Sequence, residues 1–89
     1  MIDSMHVLDV LRERGYEPHD VPGRQAETWF DLHVSGTRVR AILTPERGCQ
    51  IHLFRDGWAL AWSVRFDGAP GAVFLATLDA AEAEAKVAN

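Results

Sequence analysis

Apolar and polar residues alternate in four successive segments of the chain, a pattern typical of half-buried β-strands. The segments cover about residues 28–35, 37–43, 49–55 and 58–66. In the first of them, Phe30, Leu32 and Val34 occupy every second position. We therefore predict four strands, each with one apolar face and one mixed or polar face.

The last two predicted strands are separated by Asp56-Gly57, a pair of residues that favours a two-residue hairpin turn. Such a turn pairs Leu53 with Leu60 and Ile51 with Trp62, so that apolar residues face each other across the hairpin. A slip of one residue would mix the two faces of the sheet. The sequence therefore predicts this pairing.

The other connections lead to the same kind of pairing. A two-residue turn at Ser35-Gly36 pairs Leu32 with Val39, and a five-residue connection over 44–48 joins the second and third predicted strands. Apolar residues then face apolar residues at every rung. We predict an antiparallel four-stranded meander in the order 1-2-3-4.

Two helices complete the predicted fold. Residues of about 4–14 place Leu8 and Leu11 at helical spacing, and Gly15 follows as the residue that ends the helix. A second helix covers about 70–88, and residues 17–27, with two prolines, are predicted to be a loop. The predicted class is α+β in the order α-β-β-β-β-α, with both helices on one face of the sheet.

The composition is that of one small globular domain covering 1–89. Apolar residues make up 47% of the 89 residues and charged residues 25%, enough to form one hydrophobic core. A single cysteine suits a reducing compartment, and the longest nearly apolar run, 58–64, is far below the ~20 residues of a membrane span. We expect a cytoplasmic protein. The net charge of −4 argues against general binding of nucleic acid.

The predicted pairing leaves one face of the sheet without a covering helix. Asp31 lies beside Arg40 there, an opposite-charge pair that stabilises a sheet. Large apolar residues next to arginines are typical of interaction surfaces. Two alternatives remain: a ladder of solvated charges, or a face covered by loop 17–27 or by a terminus of the chain. The predicted partner-binding residues are Trp29, Asp31, Arg38, Arg40, Ile42, His52 and Phe54.

The last predicted strand lies at an edge of the sheet and presents only small residues on the same outer face, namely Ala59, Ala61 and Ser63. An edge strand with small side chains can pair with its own copy across a two-fold axis. These residues are the candidate dimer contact. The alternative is an incidental run of small residues in an alanine-rich sequence.

No residue pattern predicts catalysis, a cofactor or a metal site. His33 and His52 lie on the first and third predicted strands, roughly 10 Å apart, and no pair of histidines or cysteines has metal-ligand spacing. Cys49 points to the apolar face whereas His52 points away from it, so the two do not form a catalytic pair. Gly68 to Gly71 is interpreted as a helix start that Asp67 caps, in preference to an anion site.

The run Trp58-Ala-Leu-Ala-Trp-Ser-Val-Arg-Phe66, followed by Asp-Gly-Ala-Pro70 and an alanine-rich helix, resembles the C-terminal third of small proteins of unknown function from actinobacteria and their phages. The resemblance implies an accessory protein with no known chemistry. We expect a non-enzymatic interaction module that binds a host protein or its own copy through the exposed sheet face. Two alternatives are a small nucleic-acid-associated regulator that uses Arg38, Arg40 and the aromatic residues of the sheet, and a ligand-binding domain with a pocket under loop 17–27.

Overall fold

The computed structural model describes residues 4–24, 26–44 and 47–87. The element order is α1 (Ser4–Glu13), β1 (Glu17–His19), β2 (Thr28–Val34), β3 (Thr37–Thr44), β4 (Gly48–Arg55), β5 (Ala59–Phe66) and α2 (Ala72–Val87). The five strands form one antiparallel sheet in the order β1-β2-β3-β4-β5. The predicted α+β class and antiparallel meander are confirmed. Residue 88, predicted as the end of the second helix, lies outside the described residues.

Helix α1 ends where the sequence predicts. Gly15 has a φ of 90° and donates its backbone N–H to the carbonyl of Arg12, while the N–H of Tyr16 reaches the carbonyl of Leu11. This pair of bonds is the Schellman arrangement, which satisfies the last carbonyls of a helix. It directs the chain from α1 into β1.

Both helices pack on the same face of the sheet and share one core with it. Glu82 of α2 connects this helix to the residues that follow α1. It accepts a hydrogen bond from the Tyr16 hydroxyl at 2.7 Å and another from Arg14 at 3.0 Å. Helix α2 lies over β3 and β4 and leaves β5 less covered. The buried core consists of Val7, Leu11, Tyr16, Phe30, Val39, Ala41, Cys49, Ile51, Leu53, Phe74, Leu78, Ala81 and Ala85.

The prediction of a loop over 17–27 is wrong at its beginning. Glu17–His19 forms the edge strand β1, so the sheet has five strands and not four. Glu17 lies opposite Asp31 and His19 opposite Trp29. Pro18 is compatible with this position because an edge strand has an unpaired side that needs no N–H donor.

The predicted pairing of β2, β3 and β4 is confirmed. Leu32 faces Val39 across the first hairpin. Ser35 and Gly36 both have positive φ, at 48° and 83°, as a two-residue turn of this hand requires. Leu43 faces Cys49 across the next connection.

The predicted pairing of β4 with β5 is wrong by two residues. Leu53 faces Trp62 instead of Leu60, and Ile51 faces Val64 instead of Trp62. The cause is a longer turn: Arg55 pairs with Ala59, so that residues 56–58 form a three-residue connection. A bulge follows, in which the partner passes from Trp62 to Leu60 between Leu53 and Phe54 and Ala61 is the extra residue.

Candidate interaction surface

Arg40 lies at the centre of the outer face of the sheet, the face opposite to the helices. Its Nε donates to Oδ1 of Asp31 at 2.8 Å and its Nη2 to Oδ2 at 3.0 Å, a bidentate ion pair between directly opposite residues of β2 and β3. Both side chains are only 12% exposed. The opposite-charge pair expected from the sequence is present, and it is largely withdrawn from solvent.

Aromatic rings surround this guanidinium. The Arg40 Cζ lies 4.3 Å from the ring centre of Trp29, 4.7 Å from that of Trp58 and 5.3 Å from that of Phe54. These distances are within the range of cation–π attraction. The Arg38 Cζ lies 4.1 Å from the Trp58 ring as well. We call the group of Trp29, Asp31, Arg38, Arg40, Phe54 and Trp58 the arginine–tryptophan cluster.

Trp58 reaches the cluster because of the turn that carries it. Asp56 and Gly57 have φ values of 49° and 86°, and the connection is one residue longer than the sequence predicts. Trp58 is thereby excluded from β5 and packs edge-on against Phe54, with ring centres 5.2 Å apart. The sequence assigns Trp58 to the helix-covered face, so its part in the cluster is a finding of the structure.

The electrostatics of the cluster follow from its packing. Burial raises the pKa of Asp31, but the hydrogen bonds and charge of Arg40, with a smaller contribution from His19, outweigh burial and lower it. Burial also lowers the pKa of His52, and the charges of Arg40 and Arg65 act in the same direction. The cluster is therefore arranged around a charged Asp31–Arg40 pair.

The predicted exposure of the large apolar residues on this face is wrong for two of them. Ile42 is 3% exposed and Phe54 is 9% exposed. Trp29 is half-buried, and its indole N–H donates to Glu27 at 2.9 Å. Glu27 is two residues before Trp29, so this bond is local and holds the indole in place at the start of β2. These side chains form a second, smaller packed layer of the protein.

The apolar side chains of the sheet that solvent can reach lie on or next to β5, at the edge of the sheet farthest from β1. Trp58 is 56% exposed, Leu60 is 54% exposed and Val64 is 37% exposed. Leu60 faces Phe54 and so points to the outer face, whereas Val64 faces Ile51 and points to the helix side. We call the β5 strand together with Trp58 the β5 edge surface.

The candidate dimer residues lie on this edge, but not all on the outer face. Ala59, Ala61 and Ser63 are exposed. Ser63 faces His52 and points outward as predicted, whereas Ala59 faces Arg55 and Ala61 is the bulge residue. The outward position assigned to Ala59 is wrong, because the longer turn shifts the pairing by one residue before the bulge and so reverses the face, and Ala61 is the extra residue without a partner on β4. Leu60, a large apolar residue, is on the outer face instead.

The other exposed large apolar residues lie on α2. Glu84 of α2 accepts hydrogen bonds from Trp62 at 2.7 Å and from Arg55 at 2.6 Å, so its side of the helix is turned toward β5. Val73 and Val87 lie on the same helical stripe as Glu84 and are exposed. Every large apolar residue with high exposure in the described ranges therefore lies in the β4–β5 hairpin or in α2.

The histidines and the cysteine of the sheet lie in separate surroundings. No three histidine, cysteine, aspartate or glutamate residues of the described ranges come close enough to hold a metal ion. Cys49 is 2% exposed, and burial raises the pKa of its thiol to about 11. His33 and His52 bond to separate neighbours, Arg38 and Gln50.

Searches against protein-family models, curated proteins and solved structures return no match to this chain. The resemblance to small actinobacterial and phage proteins therefore remains a prediction. Among the described residues, neither helix has the length and apolar character needed to cross a bilayer.

Proposed function

We propose that the chain is a non-enzymatic protein-interaction module whose contact surface is the β5 edge surface. The observation that carries this proposal is the distribution of exposed apolar side chains. Trp58, Leu60 and Val64 are accessible to solvent, whereas Ile42, Phe54 and Arg40 are packed against their own neighbours. Large accessible apolar groups on an open strand are a ready site for another chain.

The proposal moves the contact away from the centre of the outer face. Arg40 already has a carboxylate partner and aromatic neighbours, so little of its binding capacity remains for another protein. Trp58 links the two regions, because it contacts both arginines of the cluster while more than half of it stays exposed. The cluster thus supports an exposed tryptophan, a residue type that often dominates binding energy.

The resemblance of the C-terminal third to small phage and actinobacterial proteins gives this proposal its biological setting. We propose an accessory protein of a phage or mobile element that binds a host protein or its own copy. The alternative of a nucleic-acid-associated regulator has less support, because Asp31 neutralises Arg40 and the Arg38 guanidinium lies against Trp58. Both arginines would have to leave these contacts to reach phosphates.

A lysine at position 60 tests the proposal. Leu60→Lys is expected to leave the fold intact, since exposed substitutions usually change stability by less than about 0.5 kcal/mol. It should reduce the recovery of bound proteins in affinity capture about tenfold, because a charge on the contact strand must be desolvated on binding. The measurement is quantitative mass spectrometry of the proteins that the tagged wild type and the variant retain.

The matched control is Ala26→Lys, which adds the same charge in the exposed segment before β2, on the other side of the sheet. It should retain partners as the wild type does. Equal recovery by Leu60→Lys and the wild type would contradict the proposed surface.

A further inference from the structure

We infer that β5 pairs with β5 of a second copy of this chain, antiparallel about a two-fold axis at Val64, so that two five-stranded sheets join into one. This inference rests on the proposed function, because it names the partner of the same surface. Three features of the sheet support it: the unequal lengths of its two edges, the bulge in β5 and the charges along that strand.

The two edges of the sheet differ in their capacity to pair. β1 is three residues long and contains Pro18, which has no N–H to donate. β5 is eight residues long, and all of its residues are exposed or half-exposed. Because only β5 offers a long edge, pairing between like edges closes at two copies, whereas pairing between unlike edges would continue into a filament.

The bulge at Ala61 fixes which part of β5 is regular. Beyond it, residues 62–66 pair with β4 without interruption. An antiparallel pair centred on Val64 uses all of these residues and places Trp62 of each copy opposite Phe66 of the other. Val64 then faces itself across the axis. Aromatic and β-branched pairs of this kind are among the favourable cross-strand contacts.

The same arrangement covers apolar surface that α2 leaves open. Trp62, Val64 and Phe66 face residues that point to the helix side. Trp62 bonds to Glu84 of α2 and Phe66 packs against Phe74, but Val64 between them stays 37% exposed. A two-fold axis perpendicular to the sheet keeps helix side with helix side. The second copy therefore supplies apolar neighbours to the part of β5 that lacks them, a useful supplement for so small a core.

The charges of the two copies predict how salt affects this pairing. Arg65 is the one charged residue of the strand and faces Ser63 of the second copy, so no like charges are directly opposite. The two Arg65 residues occupy diagonal positions, about 7–8 Å apart at their backbones. Each copy also carries a net charge of −4. Both repulsions are screened by salt, so the association should strengthen as salt is added.

Cysteine cross-linking tests the pairing at its centre. In Val64→Cys, the new thiols of two copies face each other at the axis, at the Cβ separation of directly opposite residues, and should form a disulfide-linked dimer under mild oxidation. The native Cys49 is buried, so the wild type should remain uncross-linked. Sedimentation of the wild type should show a dimer fraction that rises with protein concentration and with salt.

The matched control is Leu60→Cys, whose side chain is more exposed than that of Val64 but lies away from the axis. It should cross-link at least about tenfold more slowly than Val64→Cys, because its counterpart in the second copy is out of disulfide range. Equal cross-linking at both positions, or a wild type that stays monomeric at high micromolar concentration and high salt, would overturn the pairing. Neither result changes the outcome expected when Leu60→Lys is used in affinity capture. The proposed function can therefore fail or hold independently of the proposed β5–β5 pairing.

Discussion

Replacing Arg40 by methionine is expected to lower the free energy of unfolding by about 3 kcal/mol, the cost of removing one partner of a largely buried ion pair. Methionine retains much of the side-chain volume but leaves Asp31, which is 12% exposed, with His19 as its one remaining side-chain hydrogen-bond partner among the described residues. It also removes the cation that lies over Trp29 and Trp58. Urea unfolding, followed by tryptophan fluorescence and circular dichroism, measures the loss.

Two variants separate this effect from those of charge alone. Arg24→Met removes an exposed arginine paired with Glu27 and should cost less than about 1 kcal/mol. The double variant Asp31→Leu, Arg40→Met removes both charges and should recover much of the loss, since an apolar pair can replace a buried ion pair. A loss below about 1 kcal/mol in Arg40→Met would show that the pair is solvated.

The Asp31–Arg40 ion pair also predicts how the stability of the protein depends on pH. The pKa of Asp31 is lower in the folded protein than in the unfolded chain, so the folded state favours the charged carboxylate. This contribution to stability is complete above about pH 5 and is lost as the pH falls through about 4 and below. Arg40→Met should therefore lose stability less steeply with acid than the wild type does.

Replacing Gly48 by alanine is expected to destabilise the protein by about 3 kcal/mol or more, from backbone strain and overpacking together. Gly48 has a φ of 121°, a conformation that residues with a Cβ rarely adopt. An added Cβ would overlap the carbonyl oxygen of Phe66, where the end of β5 passes close to β4. Because the obstacle is backbone, neither strand can give way without disturbing the pairing of the sheet.

Gly57→Ala is the matched control for this effect. Gly57 also has a positive φ, at 86°, but an added Cβ would meet no atom within 4 Å. Its cost should be about 1 kcal/mol, the penalty of the left-handed conformation alone. Thermal or urea unfolding of the two variants gives the comparison, and similar losses would show that the close approach of Phe66 adds nothing.

The sequence determined the strand pairing in one part of the sheet and not in another, and the two parts differ in their turns. Alternation of apolar residues, together with the lengths of the turns, determined the pairing of β2, β3 and β4, because a slip of one residue mixes the two faces. It did not determine the pairing of β5. There a two-residue turn and a three-residue turn followed by a bulge both bring apolar residues together, and Asp56-Gly57 is compatible with either.

The candidate surface was predictable to a similar extent. The opposite charges of Asp31 and Arg40 could be paired from the sequence once their strands were aligned, and the structure confirms that pair. The burial of Ile42 and Phe54 could not be predicted in the same way. For Phe54 the structure shows the reason: Trp58 packs against its ring and reaches this face through a turn that carries no periodic pattern.

Site-directed photo-crosslinking tests the central claim, that contacts with another chain are made at the β5 edge surface. A benzophenone side chain replaces one exposed residue at a time: Leu60 on β5, His33 on β2 or His19 on β1. Covalent adducts, with another protein or with a second copy, are expected to form from position 60 and not from positions 33 or 19. Adducts from position 33 or 19 with none from position 60 would contradict it.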